Sequence, residues 1–192
     1  MKSNFNDIVK SVLSKKKIVI VSGLHGDEPA GNIVCTFFKH FENVYIISDI
    51  NNTNKRRLNG KDLNRHFDTK DEGYIQNYIL QKIENINPEL VICLHEDDEV
   101  NGMYVYCSQE IKDLLKRCLQ FVNIKIAKSA HKEHTNKGVI SHGKQPYKGT
   151  LERALKKRNI LYCTIETPVT LYSLKHRVNY MKQVVDYIIK SF

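Results

Sequence analysis

Several features that would define a membrane-embedded, secreted or disulfide-stabilised protein are missing from this sequence. No apolar run approaches the roughly 20 residues that a membrane helix needs. The opening stretch, residues 1–17, lacks the uninterrupted apolar core and small-residue cleavage site of a secretory signal. The five cysteines contain no C-x-x-C pair, which is typical of reduced and mostly buried thiols. We therefore expect a cytoplasmic protein without a membrane partner, a disulfide or a cysteine-bound zinc.

Motifs for nucleotide binding and for serine hydrolysis are also absent. Gly23 and Gly26 form neither a G-x-G-x-x-G pattern nor a Walker loop. Ser22 lacks the G-x-S-x-G elbow of serine hydrolases. No internal repeat, low-complexity segment or Pro/Gly-rich linker divides the 192 residues, a length that suits one core. We expect residues 1–192 to form a single domain.

The chain is basic, with 30 lysines and arginines against 21 acids and a formal charge of +9. Such an excess can attract nucleic acid, anionic surfaces or acidic substrates. The basic residues are spread, however, over three short runs at 15–17, 55–57 and 156–158, and no aromatic-and-glycine RNA-binding pattern accompanies them. We interpret each run as a solvated face, so nucleic acid is not an expected partner; the oligomeric state stays open.

Short β-branched runs alternate with amphipathic segments along the chain. The runs typical of strands are residues 17–23, 43–50, 89–95, 102–108 and 161–166. The segments with helical spacing are residues 30–41, 73–86, 110–122 and the amphipathic stretch from Leu174 onward. This alternation predicts an α/β domain, with a mixed, largely parallel sheet covered by helices on both faces.

Polar residues follow three of the predicted strands. His25 and Glu28 come after the first strand, His95 ends the third, and Glu166 ends the last. In open α/β sheets ligands bind beyond the carboxyl ends of the strands, so we expect these side chains to meet. His25 and Glu28 at i and i+3, together with His95, would supply the two histidines and one carboxylate typical of catalytic zinc.

The remaining histidines have other interpretations. His131 and His134, in HKEH, also have a metal-like spacing, but their segment is lysine-rich and lacks strand context, so we interpret it as a loop or flap that could shape a pocket mouth. An ordinary surface or helix position explains the others, which are His40, His66, His142 and His176.

A polar segment, KRRLNGKDLNRHFD at 55–68, separates the second predicted strand from the next helix. Leu63 and Phe67 would anchor it while Asn64 and Arg65 project. A guanidinium matches a carboxylate bidentately, so these two projecting residues could bind a carboxylate. The alternative is a plain polar loop.

Four motifs taken together resemble the zinc carboxypeptidase superfamily, which includes the succinylglutamate desuccinylase/aspartoacylase branch. They are HGDE (25–28), RLNGKDLNRHF (57–67), LHED (94–97) and TIETP (164–168), in the family's order. The resemblance implies a zinc carboxypeptidase-like fold and one zinc ion, held by His25, Glu28 and His95. It also implies that Asp62 orients the first zinc histidine, a common device for fixing tautomer and basicity.

The same resemblance assigns the residues that act on substrate. Arg57 matches an arginine that polarises the scissile carbonyl, and Asn64 and Arg65 match the pair that grips a terminal carboxylate. Glu166 matches the general base, and Tyr147 lies roughly where carboxypeptidases carry a mobile tyrosine. Many relatives have an acid two residues before the third ligand; here that position is a cysteine, Cys93, which we interpret as a packing residue of a buried strand.

These residues predict a zinc-dependent hydrolase of the carboxypeptidase type that cleaves an amide bond next to a free carboxylate. The resemblance implies zinc-activated water, with Glu166 taking the proton of the water and returning it to the leaving amine. An N-acyl amino acid deacylase using the same residues is a close alternative, so the expected substrate is a peptide or an N-acyl amino acid. A non-catalytic basic binding protein with a vestigial site is a second alternative.

Overall fold

A computed structural model describes residues 16–122, 124–131, 133–141 and 146–192. The expectations for residues 1–15, which include most of the stretch examined for a secretory signal, fall outside these ranges, as does that for His142.

A six-stranded sheet forms the centre of the fold. Its strands are β1 (Ile18–Ser22), β2 (Val44–Ile47), β3 (Leu90–Asp97), β4 (Tyr104–Cys107), β7 (Val139–Ser141) and β8 (Leu161–Pro168). They lie in the order β2-β1-β3-β8-β4-β7. The first four in this order are parallel to one another, β4 is antiparallel to β8, and β7 is parallel to β4. The sheet is mixed and mostly parallel, as predicted.

Helices cover both faces of this sheet. Within the described ranges they are α1 (Pro29–Phe38), α2 (Tyr74–Ile86), α3 (Lys112–Phe121), α4 (Leu151–Lys157) and α5 (Leu174–Ser191). Ile18 and Ile20 of β1 belong to the apolar core formed with α1, α3 and α5, whereas Val19 and Val21 pack toward α2 and α4. A strand buried on both faces needs this continuous apolar run, because successive side chains point to opposite sides. The predicted α/β fold, with helices on both faces of the sheet, is confirmed for the described residues.

The predicted strands and helices are all present, but α4, β7 and a pair of two-residue strands were missed. α4 spans only seven residues and β7 only three, which is too short for a clear periodic pattern. The expectation of a loop or flap at HKEH was wrong in part. β5 (Ser129–Ala130) and β6 (Glu133–His134) pair antiparallel as a small hairpin, because backbone pairing is available even to a polar, lysine-rich sequence.

The structure bears on the cysteines and on membrane-spanning helices. All five cysteines are free and buried, as predicted, and Cys93 is fully enclosed in β3. Among the described residues, no helix combines the length and the apolar character that crossing a bilayer requires.

Candidate metal centre and adjoining cavity

Three buried side chains converge where β1 and β3 end. His25, Glu28 and His95 each offer one donor atom, and these atoms lie within 4.8 Å of one another. His25 Nδ1 is 2.7 Å from Glu28 Oε1, and His95 Nδ1 is 2.9 Å from Glu28 Oε2. The two imidazole rings meet edge to face with centroids 5.1 Å apart. The carboxylate of Glu28 therefore sits between two ring nitrogens that both point at it.

A tight turn after β1 brings the first two of these residues into place. Gly23 has φ +76°, a left-handed conformation that favours glycine. At Gly26, a Cβ would lie 2.8 Å from the backbone oxygens of both Asn51 and Lys55. The Gly26 N–H donates to the Lys55 oxygen at 3.0 Å, so the loop after β2 lies directly against the turn. Glycine at this position permits that close approach of two backbones.

Asp62 fixes the orientation of the first histidine. Its Oδ1 lies 3.0 Å from His25 Nε2 and also accepts a hydrogen bond from the Asn64 N–H at 2.9 Å. The carboxylate thereby opens the short 3-10 turn Leu63–Arg65. Because Nε2 is engaged by Asp62, Nδ1 is the nitrogen of His25 that faces Glu28 and a possible ion.

Electrostatics make this cluster attractive to positive charge. Burial lowers the pKa of His25, but hydrogen bonds to Asp62 and Glu28 outweigh it and raise that pKa to about 9. Burial raises the pKa of Glu28, yet the charge of His95 and hydrogen bonds from both imidazoles bring it down to about 2. The pKa of His95 is also raised, because the charge of Glu28 and its hydrogen bond outweigh burial. Two imidazoles with raised pKa values beside a carboxylate that stays ionised form a donor set that suits a divalent zinc ion, which competes with protons for the ring nitrogens.

Glu166 lies beside the cluster on the neighbouring strand. The β3–β8 register pairs His95 with Glu166, so both side chains emerge at the same level of the sheet. Burial raises the pKa of Glu166, and the positive charge of His95 lowers it. The negative charges of Glu28 and Asp97 raise it further, so that the pKa of Glu166 is about 8. A carboxyl group that exchanges its proton near neutral pH suits general acid–base chemistry.

These residues open into a cavity of about 500 Å³. The cavity is lined by residues of the segments 56–65 and 146–152, by the end of β3, and by Tyr106 and His131. The polar side chains that line it include Asp27, Glu28, Arg56, Asn64, Arg65, Glu96, Asp97, Asp98, Glu99, Tyr147, Glu152 and Glu166. The cavity is large enough for a small peptide or an acylated amino acid.

The proposed carboxylate anchor lines the cavity. Leu63 and Phe67 are buried, as the sequence predicted, while Arg65 is exposed and lines the cavity. Asn64 also lines the cavity, but it is buried and its Oδ1 accepts the Leu151 N–H at 2.8 Å. Asn64 thus joins the anchor segment to the start of α4, and Arg65 is the exposed cation of the pair.

The structure does not bring Arg57 to the cavity wall. Arg57 is exposed, whereas its neighbour Arg56 lines the cavity and donates from Nη1 to Glu28 Oε1 at 3.2 Å. The loop backbone decides between them, because Asn51 Nδ2 donates to the carbonyl oxygens of Lys55 and Arg56 and fixes their orientation. Spacing from the D-L-N-R motif selected Arg57 and could not reveal this arrangement.

At the end of β3, a network that the sequence did not reveal holds His131. The Tyr104 hydroxyl donates to Asp97 Oδ2, and His131 Nε2 lies 3.0 Å from the same oxygen. Asp97 also accepts the backbone N–H groups of Glu99 and Val100 through Oδ1. His131, which directly follows β5, is therefore tied to the end of β3 and lines the cavity. Tyr147 also lines the cavity and is exposed.

Glu96 connects the cluster to the last helix of the chain. Its Oε2 accepts the Ala30 N–H at 2.8 Å, two residues after Glu28, and its Oε1 pairs with Arg177 Nε from α5. Arg177 in turn donates from Nη1 to the Tyr172 carbonyl at 2.6 Å. The only sequence signal for this link was the position of Glu96 directly after His95.

No family model matches the sequence, and neither does any curated protein. Solved structures do match. A candidate metallopeptidase from Shewanella denitrificans has a TM-score of 0.74 and 24% identity, over 90% of this chain and 72% of that one. Murein-tripeptide amidase MpaA from Escherichia coli O157 has a TM-score of 0.66 and 14% identity, over 93% of this chain and 83% of the other.

A succinylglutamate desuccinylase from Chromobacterium violaceum also matches, with a TM-score of 0.63 and 13% identity, over 93% of this chain and 61% of that one. These three proteins share the zinc carboxypeptidase-like fold. The chain described here has that fold, as its motifs predicted.

Proposed function

We propose that this protein is a zinc-dependent hydrolase of the carboxypeptidase type, which cleaves an amide bond adjacent to a free carboxylate. The observation that carries the proposal is the convergence of His25, Glu28 and His95 beside Glu166, at the mouth of one cavity. Similar folds in a metallopeptidase, an amidase and a desuccinylase support the same reaction class.

The metal would be held by His25 Nδ1, His95 Nδ1 and a carboxylate oxygen of Glu28. When bound there, zinc supplies a Lewis acid that activates water and polarises a carbonyl group. Asp62 keeps the His25 ring in the orientation that presents Nδ1, through its contact with Nε2.

Glu166 is the proposed general base and acid. Its carboxylate receives a proton from the attacking water and returns it to the amine nitrogen of the leaving group. Burial of Glu166 explains why its carboxyl group holds a proton near neutral pH. Glu166 is paired with His95 in the strand register, which places it next to the proposed metal ligands.

Arg65 is the proposed anchor for the free carboxylate of the substrate, with Asn64 beside it. A guanidinium binds a carboxylate through two parallel hydrogen bonds, and this selects for substrates with a free end. For stabilising the developing oxyanion we favour Arg56 over Arg57, because Arg56 already reaches Glu28 from the cavity wall. Tyr147 is a further candidate for contact with substrate.

The close alternative is an N-acyl amino acid deacylase, which would use the same residues on a smaller substrate. The desuccinylase among the similar structures supports this alternative. For location, five buried free thiols favour a reducing compartment such as the cytoplasm.

The decisive experiment combines metal analysis with a substrate panel. Zinc-loaded protein is assayed on short peptides, their C-terminally amidated forms and N-acyl amino acids, alongside Glu166→Gln. We expect one zinc per chain in both proteins, hydrolysis of free-carboxylate substrates by the wild type, and a loss of kcat of about 10²–10⁴-fold in the variant.

Hydrolysis of the N-acyl amino acids alone would favour the deacylase. Absence of zinc and of all turnover, together with salt-sensitive binding of anionic polymers, would favour the basic binding protein instead.

A further inference from the structure

We propose that Glu152 makes the cavity selective for substrates whose carboxylate-bearing residue also has a cationic side chain, such as one that ends in a primary ammonium group. This inference rests on the proposed function, which places the free carboxylate of the substrate at Arg65. It adds a substrate class that the metal cluster itself does not specify.

Glu152 lines the cavity next to the segment that carries the carboxylate anchor. It follows Leu151, whose N–H donates to Asn64 Oδ1 at 2.8 Å, and it lines the same cavity as Arg65. A second contact fixes this junction, since the Phe67 N–H donates to the Gly149 carbonyl at 2.9 Å. For a substrate held by its carboxylate at Arg65, we place the side chain of that substrate residue toward the start of α4, which adjoins the anchor segment.

The two chain segments are packed too closely to shift independently. Gly149 has φ +83°, and a Cβ there would lie 2.0 Å from the Arg65 carbonyl oxygen. The backbones that carry Arg65 and Glu152 are thus held at a fixed spacing by direct contact. Such a fixed spacing suits recognition of two opposite charges on one substrate residue.

Burial makes the Glu152 charge costly unless a cation joins it. The residue is only 6% exposed, and its Oε1 accepts a hydrogen bond from the Thr164 hydroxyl at 2.6 Å. Throughout the described ranges, no lysine, arginine or histidine nitrogen lies within 4.0 Å of this carboxylate. A neutral hydroxyl compensates only part of the cost of removing a carboxylate from water, and a ligand ammonium would supply the missing charge.

The other acids of the cavity have different explanations. Glu28 is bonded to two imidazoles and Arg56, Glu96 is paired with Arg177, and Asp97 with His131. Glu166 is the proposed base. The remaining acids, Asp27, Asp98 and Glu99, are exposed to solvent, where a carboxylate needs no partner. Glu152 is the buried carboxylate that neither the metal cluster nor an internal ion pair accounts for.

A substrate pair isolates this effect. N-acetyl-alanyl-lysine and N-acetyl-alanyl-norleucine present side chains with the same four-carbon stem, with and without the ammonium group. For the zinc-loaded wild type we expect kcat/KM to favour the lysine substrate by at least about tenfold, since hydrogen bonds to buried charged groups typically contribute this much. In Glu152→Gln, which keeps the size of the side chain, the ratio should fall to about one.

Two further variants serve as controls. Glu99→Gln removes the same unit charge from an exposed position of the cavity mouth and should keep the lysine preference. Thr164→Val removes the hydroxyl that holds Glu152 and should reduce the preference without abolishing it. A wild-type ratio near one, or an unchanged ratio in Glu152→Gln, would overturn the inference while leaving the hydrolase intact.

Calorimetry with the free amino acids separates this inference from the proposed function. Zinc-loaded protein should bind free lysine more tightly than free norleucine, and Glu152→Gln should not. If the wild type cleaves neither peptide but shows this binding preference, the proposed reaction is wrong and the selectivity stands. If it binds both amino acids equally, the selectivity is wrong. Should Glu152→Gln fail to fold, the wild-type ratios and Thr164→Val still decide.

Discussion

The two halves of the candidate site are built differently. The metal half uses His25, Glu28 and His95, which follow or end strands and are each no more than 5% exposed. The substrate half uses residues of connecting segments, and the Arg56 side chain there is 47% exposed. The first half is held by the sheet, and the second by a few backbone contacts of loop segments, such as those of Lys55 with Gly26 and of Phe67 with Gly149.

This contrast has an energetic consequence. A change in the metal half removes a partner from a buried hydrogen-bonded cluster, so it should affect metal affinity and stability together. A change in an exposed arginine removes little from the folded chain and should affect substrate binding or rate alone. Four predictions test this division, beginning with the largest effect.

In the metal half, His25→Ala should abolish stoichiometric zinc binding. The variant loses one of three ligands and leaves Glu28 and Asp62 without their shared imidazole. Zinc affinity should fall by at least about 100-fold, and hydrolysis should be lost with it. Competition with a chromogenic chelator measures the affinity, and His40→Ala, at an exposed position, is the matched control. Unchanged affinity would remove His25 from the ligand set.

In the substrate half, Arg65→Ala should raise KM for substrates with a free carboxylate by about 10–100-fold. The increase should be much smaller for C-terminally amidated substrates, because these lack the anion that the guanidinium binds. Zinc content and melting temperature should stay near wild type, since the Arg65 side chain is exposed. Equal effects on both substrate classes would reject Arg65 as the anchor.

Arg56→Ala and Arg57→Ala form a direct test of the loop geometry. Arg56 donates a hydrogen bond to Glu28, whereas the Arg57 side chain is exposed to solvent. Arg56→Ala should therefore lower kcat by about 10–100-fold, and Arg57→Ala by less than about threefold. Steady-state kinetics on one substrate suffices. The reverse result would show that the bound state uses Arg57, as motif spacing predicts.

The smallest effect is a pH dependence of stability in the metal-free protein. The pKa of His25 is raised from 6.5 to about 9, so its stabilising contribution is complete below pH 6.5 and is lost as pH rises through 9. The pKa of Glu166 is raised from 4.5 to about 8, so its stabilising contribution is likewise lost as the pH rises from 4.5 to 8. The melting temperature should therefore fall from pH 6.5 to 9.

Thermal denaturation with and without saturating zinc checks this prediction. Zinc displaces the proton from His25, so the stabilisation by zinc should grow over the same pH interval. His25→Ala should show a flatter metal-free profile. A melting temperature of the metal-free wild type that rises toward pH 9 would contradict the proton-binding role of the cluster.

The division between the two halves also marks what the sequence could reveal. His25, Glu28 and His95 stand directly beside β-branched runs, so a local pattern sufficed to place them at one sheet edge. Glu166 followed from the same rule. The largely parallel direction of the strands and the two helical layers likewise depend on patterns that persist over many residues.

Other contacts depend on tertiary packing that no local pattern encodes. His131 reaches Asp97 across 34 positions and Arg177 reaches Glu96 across 81. Glu152 sits in a helix of seven residues, too short to predict. Arg56 and Arg57 are adjacent and chemically identical, so only the loop conformation distinguishes them.

The ion pair between Glu96 and Arg177 limits how far the chain can be shortened. Removing α5 would leave Glu96, a carboxylate enclosed beside a metal ligand, without its counterion, and would uncover the apolar face of α1. A minimal catalytic fragment that ends after β8 would contain every proposed ligand and still lack the support that aligns two of them. Engineering of this scaffold therefore has to retain its final helix.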